Sequence, residues 1–282
     1  MSIDSLIPDG VNLGGWWDAY DKSTISFSSG DRISVIEDKS DGGEDLSNSE
    51  ATASKHPQWS EDYWGIRWSE GEAQSLKNST FAQDWTGVTL LISFTSRGDP
   101  GTHMLFSDDD TAAFTGDFAF QMRKDGATDK MDFEYRIDNT YSHDLNANVV
   151  DGWEQAEKRV VTFSFSNAGD YRRIRLRGYT SSTDSAIFDY YDSGEVSELD
   201  NMSGTDSGDE GLWLGAQSAS TDRVVDMDMH EIILLDAGMP GADATARGAQ
   251  LAALEDYMLN HGPPKTPTQT QPGIGLSINS RR

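Results

Sequence analysis

The run Val88-Thr89-Leu90-Leu91-Ile92-Ser93-Phe94 decides the fold class. It is short, apolar and rich in β-branched side chains, which suits a strand and is too brief for a buried helix. Phe118-Ala119-Phe120-Gln121-Met122, Met131-Asp132-Phe133-Glu134-Tyr135-Arg136-Ile137 and Val160-Val161-Thr162-Phe163-Ser164-Phe165 have the same character. Several alternate apolar with polar residues, the period of a half-buried strand. Between them lie Ser107-Asp108-Asp109-Asp110, Lys124-Asp125-Gly126 and Asn167-Ala168-Gly169-Asp170. Gly supplies positive φ there and Asp or Asn caps its own backbone, so these are turns. Many short strands with frequent turns predict an all-β sandwich or jelly roll.

A single long segment reads as helix, 243–261. Asp243 is an acceptable N-cap, and Arg247, Leu251, Leu254 and Met258 recur with helical spacing before Gly262 and Pro263-Pro264 stop it. The stretch KTPTQTQPGIGLSINSRR, residues 265–282, is rich in Pro, Thr and Gln and ends in Arg281-Arg282. It reads as an extended arm, expected to lie on a neighbouring subunit. The expected organisation is an N-terminal arm over 1–7, one β domain over 8–262 closed by the helix, and a C-terminal arm over 263–282.

Composition narrows the function classes. The 282 residues hold 48 Asp and Glu against 22 Lys and Arg, a formal charge of -26. Asp outnumbers Glu by 34 to 14. Nucleic acid is excluded as an expected partner, because phosphate binding relies on clustered Lys and Arg. The surface is instead heavily hydrated, as suits a soluble or salt-adapted protein. Cysteine is absent, which excludes disulfides, zinc-thiolate sites and a cysteine nucleophile. No apolar run approaches the roughly 20 residues of a membrane span, so no membrane insertion is expected. The opening MSIDSLIPDG lacks the basic and apolar regions of a secretion signal. Synthesis and assembly in a host cytoplasm are the expectation.

Two stretches carry a family resemblance. Leu13-Gly14-Gly15-Trp16-Trp17-Asp18-Ala19-Tyr20-Asp21-Lys22-Ser23-Thr24-Ile25 followed by Gly30-Asp31-Arg32-Ile33-Ser34-Val35-Ile36-Glu37-Asp38-Lys39-Ser40 resembles the opening of laminin-G-like, concanavalin-A-like jelly-roll modules. Tyr20 stands where the family usually has Ser, and Ile36 where it often has Trp. Met229-His230-Glu231-Ile232-Ile233-Leu234-Leu235-Asp236, with the helix after it, is similar to the family's closing strand and helix. Such modules serve as carbohydrate-binding domains, as glycan-degrading enzymes, and as structural or adhesive parts of bacteriophage virions. The resemblance, with the cytosolic character, implies a non-enzymatic structural virion protein that decorates the capsid or forms a surface appendage. Its partners would be other virion proteins, such as the major capsid protein, and copies of itself. The alternatives are a module that binds host surface glycan and a glycoside hydrolase or lyase.

Each alternative names residues. The hydrolase would use Asp226, Asp228 and Glu231, on a strand that resembles the E-x-D-x-x-E pattern of glycosidases with this fold. On a regular strand Asp226 and Asp228 face away from Glu231. A retaining pair about 5–5.5 Å apart therefore requires a bulge before Glu231. The other reading of this segment is simply a closing strand with a Met-rich core face. Trp59, Trp64 and Tyr191 are the candidate sugar-stacking rings, or else core cover. Trp16 and Trp17 are adjacent, so only one of them can face the core. Arg173, Arg175 and Arg177 share one face of a basic strand; with Arg281 and Arg282 they are docking candidates for an acidic subunit, or else partners of surface carboxylates. No cofactor is expected; calcium alone is allowed for, with Asp38, Asp41, Asp45, Asp108, Asp109 and Asp110 as candidate oxygen ligands.

Overall fold

The computed structural model describes residues 3–7, 9–48, 52, 55–62, 64–68, 74–81, 87–96, 102–107, 118–125, 130–137, 141–145, 158–166, 171–179, 186–192, 212–215, 227–238 and 246–262. The fold is all-β and antiparallel, with one C-terminal helix. Two series of paired strands organise it. The first runs β1 (Leu13–Asp18), β17 (Met227–Leu235), β8 (Gly87–Ser96), β13 (Lys158–Ser166), β14 (Tyr171–Tyr179) and β15 (Ala186–Asp192). The second runs β12 (Tyr141–Leu145), β11 (Lys130–Ile137), β10 (Phe118–Asp125), β9 (Thr102–Ser107), β16 (Leu212–Leu214), β7 (Leu76–Asn78), β4 (Leu46–Ser47), β3 (Arg32–Ile36) and β2 (Ile25–Ser29). A hairpin of β5 (Gln58–Ser60) and β6 (Gly65–Arg67) links them, pairing with β3 on one side and β17 on the other. The four strands read from the sequence all form, in β8, β10, β11 and β13.

One core lies between the two series. Trp17, Leu90, Ile92, Phe94, Val161, Phe163, Met227, Met229, Ile232 and Leu234 meet Ile33, Ile36, Leu46, Trp59, Ile66, Leu76, Leu212 and Leu214. A second cluster covers the opposite face of the first series. There Leu251, Leu254 and Met258 of α1 (Ala246–Asn260) pack on Leu91, Val160, Ile233 and Leu235. These are the apolar positions whose spacing marked the helix. Strand β17 is buried on both faces along its whole length, its polar residues Asp228, His230 and Glu231 included. The adjacent tryptophans divide as strand geometry requires: Trp17 enters the first core and Trp16 packs against the second.

The N-terminal segment expected as an arm over 1–7 packs on the β domain at its described residues. A turn of 3₁₀ helix at Ile3–Ser5 places Ile3 in the second cluster, where it is 2% exposed beside the helix residues, because burying an isoleucine outweighs leaving it in water. The helix is described from Ala246; Asp243, its expected cap, and the arm with Arg281 and Arg282 lie outside the described residues.

Candidate functional site

The site is built around a bulge in β17. Across from β8, Met229 pairs with Phe94 and Glu231 with Ser93, so His230 is an extra residue on β17. An extra residue shifts the side-chain phase of everything after it. Met227 and Met229 face the first core before the bulge, and Ile232 and Leu234 face it afterwards. Asp228 and Glu231 consequently share the other face. The bulge that a glycosidase-like strand requires is therefore present.

Both acids are nevertheless committed. Asp228 is fully buried, and its two oxygens receive Nε and Nη2 of Arg67 at 2.8 and 3.1 Å. Glu231, 1% exposed, accepts Nε1 of Trp16 at 2.8 Å on one oxygen and Nδ1 of His261 at 3.1 Å on the other. Asp226 lies outside the described residues.

Around Glu231 a polar network pins the end of α1 to the sheet. Asp18, Glu231 and His261 bring ligand-type atoms within 4.8 Å of one another. Lys39 already occupies Asp18, its Nζ 2.9 Å from Oδ2, and holds Asp21 at 3.0 Å. With Trp16 and His261 on Glu231, the carboxylates are served by protein donors, and the set does not fit a metal ion. Burial opposes the charge on Lys39, but hydrogen bonds and the charges of Asp18 and Asp21 raise its pKa overall. The Glu231 hydrogen bond raises that of His261, against burial and the nearby Lys158. Lys158 donates to the His261 carbonyl at 2.6 Å and sits 4.7 Å above the Tyr20 ring. Tyr20 stacks on His230, and burial, then Glu231 and Asp18, push its hydroxyl far above the ordinary tyrosine value.

His230 reaches the other way, to the β5–β6 hairpin. Its Nδ1 lies 3.1 Å from the Trp64 carbonyl and its Nε2 2.8 Å from the Thr95 hydroxyl. A carbonyl only accepts, so Nδ1 carries the proton and Nε2 accepts from Thr95. That is a neutral ring, and burial lowers its pKa to about 4. Gly65 makes the contact feasible, because a Cβ there would stand 2.8 Å from His230 Nδ1 and 2.9 Å from the Met229 carbonyl. Trp64 is held at φ 49, a left-handed conformation that costs a bulky residue roughly 1 kcal/mol. It is 36% exposed, the one large hydrophobic residue so exposed among the described residues. Strain retained at an exposed aromatic points to use.

The same hairpin borders a cleft of about 260 Å³, lined by Lys22, Asp31, Gln58, Trp59, Ser60, Glu61, Asp62 and Arg67. Trp59 forms its wall but is no open platform. It is 3% exposed, donates Nε1 to the Ala19 carbonyl at 2.9 Å, meets the Trp64 ring edge to face at 6.0 Å, and carries Lys22 Nζ at 4.3 Å over its ring. Of the candidate rings, Trp64 is exposed and Trp59 supports it. Tyr191 belongs to β15, its Cα opposite Arg173. Sequence reasoning missed Lys22, Asp31, Gln58, Glu61, Asp62 and Arg67; the signal was the polar pair Glu61-Asp62 between Trp59 and Trp64.

The remaining candidates fall elsewhere. Arg175 and Arg177 do not form a docking face, because the helix of the same chain covers them. Glu255, fully buried, lies 3.2 Å from Arg175 and 3.3 Å from Arg177 and accepts the Thr162 hydroxyl at 2.9 Å; Arg177 also pairs with Asp256. Burial raises the Glu255 pKa although the arginines and Thr162 pull it down. Arg173 is placed by its register with Ser164 and Tyr191. Asp38 ties a loop instead of presenting itself to calcium. Its carboxylate accepts the backbone of Trp16, Ser40 and Glu44 at 2.8, 2.8 and 2.9 Å and the Ser40 hydroxyl at 2.5 Å. Asp45 accepts the Asp38 backbone at 2.8 Å, and Asp41 is exposed. Asp108, Asp109 and Asp110 lie outside the described residues.

No family model matches the chain, and no curated protein does. Similar solved structures are distant. A GH54 α-L-arabinofuranosidase aligns over 88% of this chain and 59% of its own, at 11% identity and TM-score 0.49. Tailspike protein 2 of Escherichia coli O157:H7 bacteriophage CAB120 aligns over 60% of this chain and 22% of its own, at 12% identity and TM-score 0.43. The CBM40 module of a Ruminococcus gnavus sialidase, bound to α2,3-sialyllactose, aligns over 66% of this chain and 97% of its own, at 13% identity and TM-score 0.39. The chain thus spans little more than half the length of the arabinofuranosidase.

Proposed function

We propose that this chain is a non-enzymatic, saccharide-binding surface module of a bacteriophage particle, with a laminin-G-like, concanavalin-A-like jelly-roll sandwich. The observation that carries the binding role is the hairpin cleft. Trp64, an exposed ring held in a strained turn, meets Trp59 edge to face, and Trp59 shares the cleft lining with carboxylate, amide and ammonium groups; a sugar needs both an apolar face and hydrogen-bonding partners. The burial of Asp228 and Glu231 under Arg67, Trp16 and His261 supports binding over turnover. Two strand series around one core support the sandwich. The virion setting follows from the family resemblance with the cysteine-free, acidic composition.

A glycan array followed by calorimetry tests the binding role. Trp64→Ala should abolish binding while changing stability by less than about 1 kcal/mol, since the ring is exposed. Immunogold microscopy tests the setting. Gold on phage heads would indicate capsid decoration and gold on tails an appendage, whereas unlabelled particles would overturn the virion reading.

A further inference from the structure

We propose that the hairpin cleft selects its saccharide by charge, taking neutral and protonated amino sugars and refusing sugars that carry carboxylates. This rests on the saccharide-binding reading above and assigns the ligand class. Asp31, Glu61 and Asp62 all line the cleft and are exposed. Two cations stand in the same lining. Arg67 is engaged, because it grips both oxygens of the buried Asp228. Its positive charge is matched within the fold by the Asp228 carboxylate, so it adds little net charge to the cleft. Lys22 lies over the Trp59 and Phe27 rings at 4.3 and 5.7 Å. Three carboxylates therefore face one lysine. Recognition of a carboxylated sugar favours an arginine fork, and in this lining the Nε–Nη2 fork of Arg67 is taken by Asp228.

The sign of the field follows. At a separation of roughly 6 Å in water, each unit charge changes binding by about three-fold. The chain's overall charge of -26 acts in the same direction. An anionic sugar is repelled, a neutral one is indifferent, and an ammonium group on a sugar meets the acids with favourable sign.

The test is a glycan array spanning amino, neutral, uronic and sialylated saccharides, followed by calorimetry. The wild type and an Asp31→Asn/Glu61→Gln/Asp62→Asn variant are compared. The wild type should bind a neutral saccharide about ten-fold more tightly than its carboxylated counterpart at low salt. That gap should close in 1 M salt, where the screening length is about 3 Å. The variant should admit carboxylated sugars. Preference of the wild type for uronic or sialylated glycans, or a gap indifferent to salt, would overturn the proposal without help from the variant. Binding of no saccharide of any charge would instead overturn the saccharide-binding reading, and this inference with it.

Discussion

Arg67 and Asp228 stand directly opposite each other on β6 and β17 and close a two-toothed ion pair at 2.8 and 3.1 Å. The pair joins the wall of the cleft to the most deeply buried strand. Because Asp228 is fully buried, Arg67→Met should remove the ion pair that offsets its charge and cost about 3 kcal/mol. Replacing both partners, Arg67→Met with Asp228→Leu, should restore most of that loss. Urea midpoints of the two variants check both expectations.

His230 sets a lower pH limit. Its ring binds its proton at about 4 when folded and near 6.5 when unfolded. Between those values the unfolded chain holds more protons, so stability rises with pH across the window and falls as the solution is acidified. The loss attributable to this residue is on the order of 3 kcal/mol by pH 4. A His230→Gln variant, weaker at pH 7, should show a flatter melting temperature between pH 6.5 and 4 than the wild type.

His261 acts in the opposite sense. Its hydrogen bond to Glu231 raises its pKa, aided by Asp18 and opposed by burial and Lys158; Tyr20 and Tyr257 complete its surroundings. A raised folded value means that the contribution is complete below the ordinary histidine range and is lost as pH climbs through the folded value. His261→Gln should therefore cost about 1–2 kcal/mol at pH 6 and less at pH 9. Stability curves of both proteins at the two pH values would show the gap narrowing; a constant gap would refute the pairing.

The helix depends on Glu255. Glu255→Ala removes an ion-pair partner of both Arg175, itself 7% exposed, and Arg177, and should cost about 3 kcal/mol. Limited proteolysis should then cut within 246–262 before any other described element.

How far the sequence announced this depends on what each pattern records. Short apolar or alternating runs exposed β8, β10, β11 and β13, and helical spacing exposed Leu251, Leu254 and Met258, because burial writes itself into the residue pattern. The bulge at His230 could be stated only as a requirement of the glycosidase-like reading, since nothing in Met227-Asp228-Met229-His230-Glu231-Ile232 marks which residue the ladder leaves unpaired. Arg175 and Arg177 were read correctly as sharing a face, but Glu255 and Asp256, their acidic partners, lay on a helix some eighty residues away. Asp38 looked like an ion ligand because a carboxylate that ties a loop accepts just as one that binds calcium does.

The pairing of β1 with β17 also fixes how the domain bears load. Leu13, at the start of the first strand, lies opposite Leu235, at the end of the last. Tension applied through the flanking chain first meets the docked helix and its His261–Glu231 tether. It then reaches the Leu13–Leu235 end and opens the ladder rung by rung, peeling instead of shearing it. The module is thus mechanically soft along the line joining its ends, and yields there while the β8–β13–β14 sheet stays intact.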